Sequence, residues 1–279
     1  MNQVFDFTRF RLLMARHWAE NRLRYLMSLG AVAGLLLLWF IFAFLMERGT
    51  SAAGEDFQRA TYYFGLFLTG SLFASSIFAP LGSKGKGINY LSIPASQFEK
   101  ILVAFLYAVV IFFICYTAVF YAIDFLMLKV TNPIAEGNFK PYYIGNKFVP
   151  EPLANMYYKA SFDEVPVFYY LLMCYFGIQS AFVAGSVFFN KFNFIKTVLT
   201  MLVLGFLFWL VMYVVVLTMM PEGHFSNEDL TGYLVVSEQG SAQVKIPVWM
   251  VMGSKLFYLY GLTLFLWLAS WRRLNEKEI

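Results

Sequence analysis

The sequence predicts an all-α integral membrane protein with about six transmembrane helices and both termini on the cytoplasmic side. Composition, six long apolar runs and a lopsided charge distribution predict it. Of the 279 residues, 60% are hydrophobic, 20% aromatic and only 14% charged, whereas a soluble domain carries about 25% charged residues. A globule of this length could not bury so much apolar surface, because its exterior needs polar cover. Lipid removes that need, so the whole chain reads as one transmembrane domain.

Crossing the hydrocarbon core takes about 20 mostly apolar residues. Runs near 25–46, 62–82, 101–128, 166–190, 195–220 and 247–270 meet that length. The second is the least apolar, since it carries Gly65, Gly70, Ser71, Ser75 and Ser76, residues suited to close helix packing. The first run follows a charged stretch and is too long for the core of a cleavable signal peptide. With the N-terminus inside, the inner segments hold thirteen Lys/Arg and the longer outer loops seven, with Lys255 inside the last span. This asymmetry orients the chain. Acidic residues run the other way, five inside and eleven outside, with Asp124 at a span end.

Residues 1–24 read as an amphipathic cytoplasmic arm. At 100° per residue Phe7, Phe10, Met14, Trp18 and Tyr25 form one stripe, with Arg9, Arg16 and Glu20 opposite and Leu12 and Leu23 off the pattern. Such a helix lies in the interface, with its arginines available to anionic headgroups of membrane lipids. The inner loop after the second run begins with Gly82, Gly85 and Gly87. Then Ser96-Gln97-Phe98-Glu99 matches a capping box, in which the Ser reaches forward and the Glu reaches back. Pro94 just ahead fits a helix start, so a short helix or helix start precedes span three. The outer loop 129–165 holds Pro133, Pro141, Pro150 and Pro152, and loop 221–246 offers a hairpin around Gln239-Gly240.

Several chemistries are excluded. The segment 82–87 is no phosphate loop, because Gly87 is followed by Ile88 and no strand precedes it. No H-E-x-x-H or G-x-S-x-G occurs, and only His17 and His224 are available to metals. The chain therefore reads as a non-enzyme with no cofactor or metal of its own, and nothing in it suggests nucleic acid. Cys115 and Cys174 lie in apolar runs, which argues against a disulfide framework. Of the charged residues within spans, Asp124 and Lys255 either pair near the outer face or stand apart, Lys255 snorkelling and Asp124 wet. Small residues at Gly30 and Gly34, and at Gly177, Ala181 and Gly185, mark faces for close helix packing. The many Phe and Tyr residues suit interfacial belts.

The amphipathic arm, six spans, a short helix between spans two and three and an elaborated outer segment between spans five and six together resemble the membrane (permease) subunit of bacterial type-2 ABC transporters. Leu91-Ser-Ile-Pro94-Ala-Ser96-Gln-Phe-Glu99-Lys100 is similar to a Pro-Ala-Ser…Glu-Lys stretch of small permeases in that family, and the tail Trp271-Arg-Arg-Leu-Asn-Glu-Lys-Glu278 resembles their short ends. As a layout the resemblance covers the whole chain; as motif it covers about twenty residues. It implies a second permease copy or related permease, separate ABC ATPase subunits carrying ATP and Mg, a bacterial cytoplasmic (inner) membrane location, and export of lipids, peptides, glycans or amphiphiles. On that resemblance Lys84, Lys86, Pro94, Ser96, Gln97, Phe98 and Glu99 form the ATPase-contact region, with Phe98 as anchor. The outer loop between spans three and four is longer than the family pattern. Other classes remain: a non-transporting scaffold or assembly subunit, and a secondary transporter, which needs paired broken helices and midplane ionisable groups.

Overall fold

The computed structural model describes residues 5–49, 51–139, 147–158, 167–219, 223–224, 232–237, 240–245, 247, 249–250, 253 and 256–277. Helix α1 (Phe7–Met46) is followed by α2 (Glu55–Ser75), a 3-10 turn (Ala79–Gly82), α3 (Lys84–Leu91) and α4 (Gln97–Phe105). A π-helical turn (Leu106–Ile111) joins α4 to α5 (Phe112–Asn138); then come α6 (Val167–Phe188), α7 (Asn193–Met219), three short strands, a second π-helical turn (Phe257–Gly261) and α8 (Leu262–Glu276).

Among the described residues, four helical stretches are long and apolar enough to cross a membrane: Phe7–Met46, Gln97–Asn138, Val167–Phe188 and Asn193–Val214. α2 lies over the second predicted run but starts at Glu55 and ends at Ser75. Glu55, Asp56 and Arg59 in its first turns, with its Ser and Gly residues, dilute its apolar character. It is instead packed against α6, α5 and α7 and meets α1 through side chains such as Phe57 on Phe40. The sixth run is described in part, from Leu256 through α8.

Two element boundaries differ from the sequence reading. The arm and first span are one uninterrupted 40-residue helix, because no Gly-Pro or capping signal separates them. At 1.5 Å per residue it is about 60 Å long, twice the hydrocarbon thickness of ~30 Å. The third span likewise continues ten residues past 128, to Asn138, with Pro133 inside it. Proline there removes one ladder hydrogen bond, and the surrounding turns hold the helix.

α1 and α4–α5 run side by side in one direction. Arg9 meets Glu99, Met14 meets Tyr107, Phe40 meets Phe120, and Gly49 meets Asn138. α2 runs opposite to α1, pairing Trp39 with Thr61 and Tyr25 with Phe73. α8 follows α6: Thr263 faces Gly177, and Lys277 donates to the Val187 carbonyl at 2.7 Å. The start of α1 and the end of α8 therefore lie at the same end of the bundle. Arg9, Arg11, Arg16, Arg22, Arg24, Lys84, Lys86, Lys100, Lys191, Lys196, Arg272, Arg273 and Lys277 belong to the segments gathered there, hereafter the basic end.

The core is aromatic. Tyr62, Tyr116, Phe120 and Tyr175 are almost wholly buried, so a good part of the aromatic content fills the bundle as well as its rims. The three tyrosine hydroxyls are satisfied: Tyr62 pairs with Thr117 at 2.9 Å, Tyr116 donates to the Tyr62 carbonyl at 3.0 Å, and Tyr175 donates to the Val109 carbonyl at 3.1 Å. An unpaired hydroxyl in that setting would be expensive. Glycines on α2 make the approach possible. A side chain at Gly70 would strike Gln179 and Phe112, and one at Gly65 would strike Tyr116.

At the opposite end, residues 151–158 fold back over the start of α2. Gln58 holds them, donating to the Ala53 and Pro152 carbonyls and accepting from the Ala154 amide at 2.7 Å. Asn132 exchanges hydrogen bonds with the Glu151 backbone. The segment after α7 contains the expected hairpin, in register Gly232–Lys245 through Ser237–Gly240, with β1 (Gly223–His224) added to β2 (Gly232–Ser237) beside β3 (Gly240–Lys245). This small antiparallel sheet departs from an all-helical chain.

Candidate functional site at the basic end

The predicted capping box is present. Ser96 stands in extended conformation (φ −65°, ψ 153°) as the N-cap of α4. Its hydroxyl accepts from the Glu99 amide at 3.2 Å, and Glu99 Oε2 accepts from the Ser96 amide at 2.9 Å. The other carboxylate oxygen does something the sequence reading did not foresee. Glu99 Oε1 accepts from the Asp6 amide at 2.8 Å and from Arg9 Nη2 at 2.9 Å. One fully buried carboxylate thus starts α4 and fastens the first turn of α1 to it.

Asp6 is itself the N-cap of α1, accepting from the Thr8 and Arg9 amides. Those backbone donors, Arg9 first, hold its carboxyl below the usual carboxylate range. Phe5 meets Phe98 edge to face at 6.4 Å. Further along, Tyr107 donates to the Met14 carbonyl at 3.2 Å, and His17 lies 2.6 Å from the Tyr25 hydroxyl with its ring against Tyr107. The next residue after the box, Lys100, is almost wholly buried. Its ammonium donates to the Leu91 carbonyl at the end of α3 at 3.0 Å and sits over the Tyr90 ring. Glu99 and Lys100, adjacent in sequence, therefore tie the arm and α3 to α4.

Of the residues singled out from sequence, Ser96, Phe98 and Glu99 come together with the arm. Phe98 is 44% exposed, and Lys86 and Pro94 are exposed. Gln97 is buried, and neither of its amide atoms has a hydrogen-bond partner among the described residues. Lys84 opens α3; its side chain lies outside the described residues. Asp124 is fully buried, and its two oxygens have no hydrogen-bond partner among the described residues. It lies beside Phe40, Phe44 and Thr131 at a void of about 10 Å³, so it is not the wet group that its place near the span end suggested. Lys255, and with it the Asp124–Lys255 pair, lies outside the described residues.

The small-residue faces divide. Gly185 is pressed against Thr197 of α7 and Gly177 faces Thr263 of α8, with the half-buried Ala181 between them on α6. At Gly30 and Gly34 a methyl side chain would meet nothing within 4 Å, and both glycines lie on the uncovered side of α1. α7 is exposed from 199 to 214 and apolar on every side.

Arg9, Asp6 and Lys100 were missed as structural partners. Asp6 ahead of the periodic run was a readable helix-start signal; nothing local announced that Arg9 and Glu99, ninety residues apart, would meet. The arrangement offers no nucleophile–base pair, and no group of three or more His, Cys, Asp or Glu residues suited to a metal occurs among the described residues. What it can do is fix the arm, α3 and α4 relative to one another. No protein-family model matches the chain, and no curated protein or solved structure matches it at a significant level.

Proposed function

We propose that the chain is the permease subunit of an ATP-driven ABC exporter, with its basic end cytoplasmic, six crossings, and separate ATPase subunits docking beneath α3 and α4. The supporting observation is the linked unit at that end: arm, α3 and α4 share the Glu99 and Lys100 side chains, while Phe98 and Lys86 point outward. A partner that pushes on α3 or Phe98 would move a connected assembly rather than a loose loop. The clustering of Lys and Arg agrees with a cytoplasmic placement. The unpacked Gly30–Gly34 face and the exposed apolar stretch 199–214 of α7 are surfaces that a second permease and lipid would cover. ATP and Mg would be bound by the partner ATPase, and an amphiphile, lipid, peptide or glycan would be moved outward.

The deciding experiment is purification of the tagged chain in mild detergent from its native membrane, with mass spectrometry of what accompanies it. A stoichiometric soluble partner bearing a phosphate loop supports the proposal. Its loss from Phe98→Ala, with membrane insertion intact, places the contact. No such partner refutes it and favours a scaffold. A second reading, a secondary transporter, draws on the buried Asp124, whose oxygens have no hydrogen-bond partner among the described residues; transport driven by a proton gradient without ATP, and lost in Asp124→Asn, would establish it.

A further inference from the structure

A groove of about 360 Å³ opens on the flank of the bundle between α1, α2 and the π-turn leading into α5. Its floor is Phe73, Tyr107 and Phe112, and its flanks are Val32, Leu35 and Leu72. Small residues leave it unfilled: Ser28 and Ala31 on α1, Thr69 and Ser76 on α2, Cys115 on α5. The π-turn Leu106–Ile111 contributes by displacing the helix ladder at the groove wall. The lining is overwhelmingly apolar, apart from its mouth at the basic end.

At that mouth stand Trp18 and Arg24. The Arg24 guanidinium is exposed and makes no hydrogen bond or ion pair among the described residues. The nearest acid one turn back, Glu20, is occupied by Arg16 at 2.7 Å. Trp18 is 45% exposed, at the level where an indole ring has one end in apolar material and its N–H in water. From Arg24 to Leu35 the groove follows eleven residues of α1, roughly 16 Å of rise. That is about half the ~30 Å hydrocarbon core, the depth of one leaflet.

We infer that the groove holds one anionic phospholipid of the leaflet at the basic end, with its phosphate at Arg24 and an acyl chain lying over Phe73 and Tyr107 toward Leu35. Charge complementarity selects an anionic headgroup; the apolar floor and matching depth select an acyl chain. The inference requires that the chain sits in a membrane and does not depend on an ATPase partner.

The test is native mass spectrometry of the purified full chain, offered phosphatidylglycerol or phosphatidylcholine with the same acyl chains. The parent should retain one phosphatidylglycerol at least fivefold more than phosphatidylcholine. Arg24→Gln should bring retention down to the phosphatidylcholine level, whereas Arg22→Gln, an arm arginine away from the groove, should leave it unchanged. Leu72→Trp, which fills the groove from an exposed position, should abolish retention of both lipids while the helical circular dichroism stays that of the parent. Equal retention of the two lipids by the parent, or equal losses in Arg24→Gln and Arg22→Gln, would overturn the assignment.

Discussion

Replacing Glu99 by Ala tests how far one buried carboxylate organises the basic end. Three donors converge on it: the Ser96 amide, the Asp6 amide and the Arg9 guanidinium. Hydrogen bonds to a charged group contribute about 1.5–3 kcal/mol each, and an N-terminal cap about 1 kcal/mol. The sum overstates the loss, because Arg9 is 39% exposed and regains water when released. A local cost of about 2 kcal/mol for freeing the first turn of α1 is the reasonable expectation, or roughly a thirtyfold rise in its opening. Hydrogen exchange in lipid nanodiscs would measure it. Amides from Asp6 to Phe10 should lose protection about thirtyfold, while those of α5 and α6 keep theirs. Ser96→Ala, which removes only the forward half of the box, should cost about 1 kcal/mol, confined to the start of α4. Unchanged protection in the first turn of α1, or a loss spread evenly through α5 and α6, would refute the latch.

Three further outcomes are expected. Gly185→Val should drive a side chain into Thr197 and destabilise α6–α7 packing by about 1–3 kcal/mol, whereas Gly30→Ala should leave thermal stability in detergent unchanged; equal effects would show that the contrast between their surroundings is wrong. Asp124→Leu removes a buried carboxylate with no partner among the described residues, so thermal stability should hold or rise, by analogy with apolar replacements of buried charges; a clear fall would mean that a group outside those residues pairs with it. The Asp6 carboxyl has its folded value held below the ordinary 3.8 by the Arg9 and Thr8 amides. Its stabilisation of the arm is therefore complete above about pH 3.8 and is lost as pH falls through the lower folded value; first-turn exchange protection, corrected for intrinsic rates, should stay flat from pH 7 to 5 and decline only below 4.

Hydropathy and local chemistry made much of this fold legible. The Ser96–Glu99 box is a four-residue pattern whose two bonds are both short in sequence, so it could be read directly. The hairpin was readable too, from two short runs, Tyr233–Ser237 and Ser241–Ile246, on either side of Gln239-Gly240. Helix continuity was harder to read. Nothing in residues 20–30 signals a stop, yet the change from charged to apolar invited a boundary where the backbone has none. Span three overran its predicted end because Lys129, Asn132 and Pro133 look like loop residues, although Asn132 serves a tertiary contact with Glu151. The Glu99–Arg9 pair and the shelter around Asp124 depend on which helices become neighbours, and neither periodicity nor composition encodes that choice. The arm's polar face was read as reaching lipid headgroups, and one of its arginines, Arg9, turns inward to a carboxylate instead.

The side-by-side course of α1 and α4–α5 has a mechanical side. The two rods are pinned together near both tips: by Glu99 to Arg9 and the Asp6 amide at the basic end, and by Asn138 to the Gly49 carbonyl at the other, 3.1 Å apart. A load applied at one tip is therefore shared by the pair instead of being spent in sliding one rod past the other. With about 60 Å between tips, a pivot of 5° about the midpoint swings each end by roughly 2.5 Å in opposite senses. The far tip carries Asn132 and the strap 151–158 with it, so the pair is a lever whose two arms end at opposite ends of the bundle.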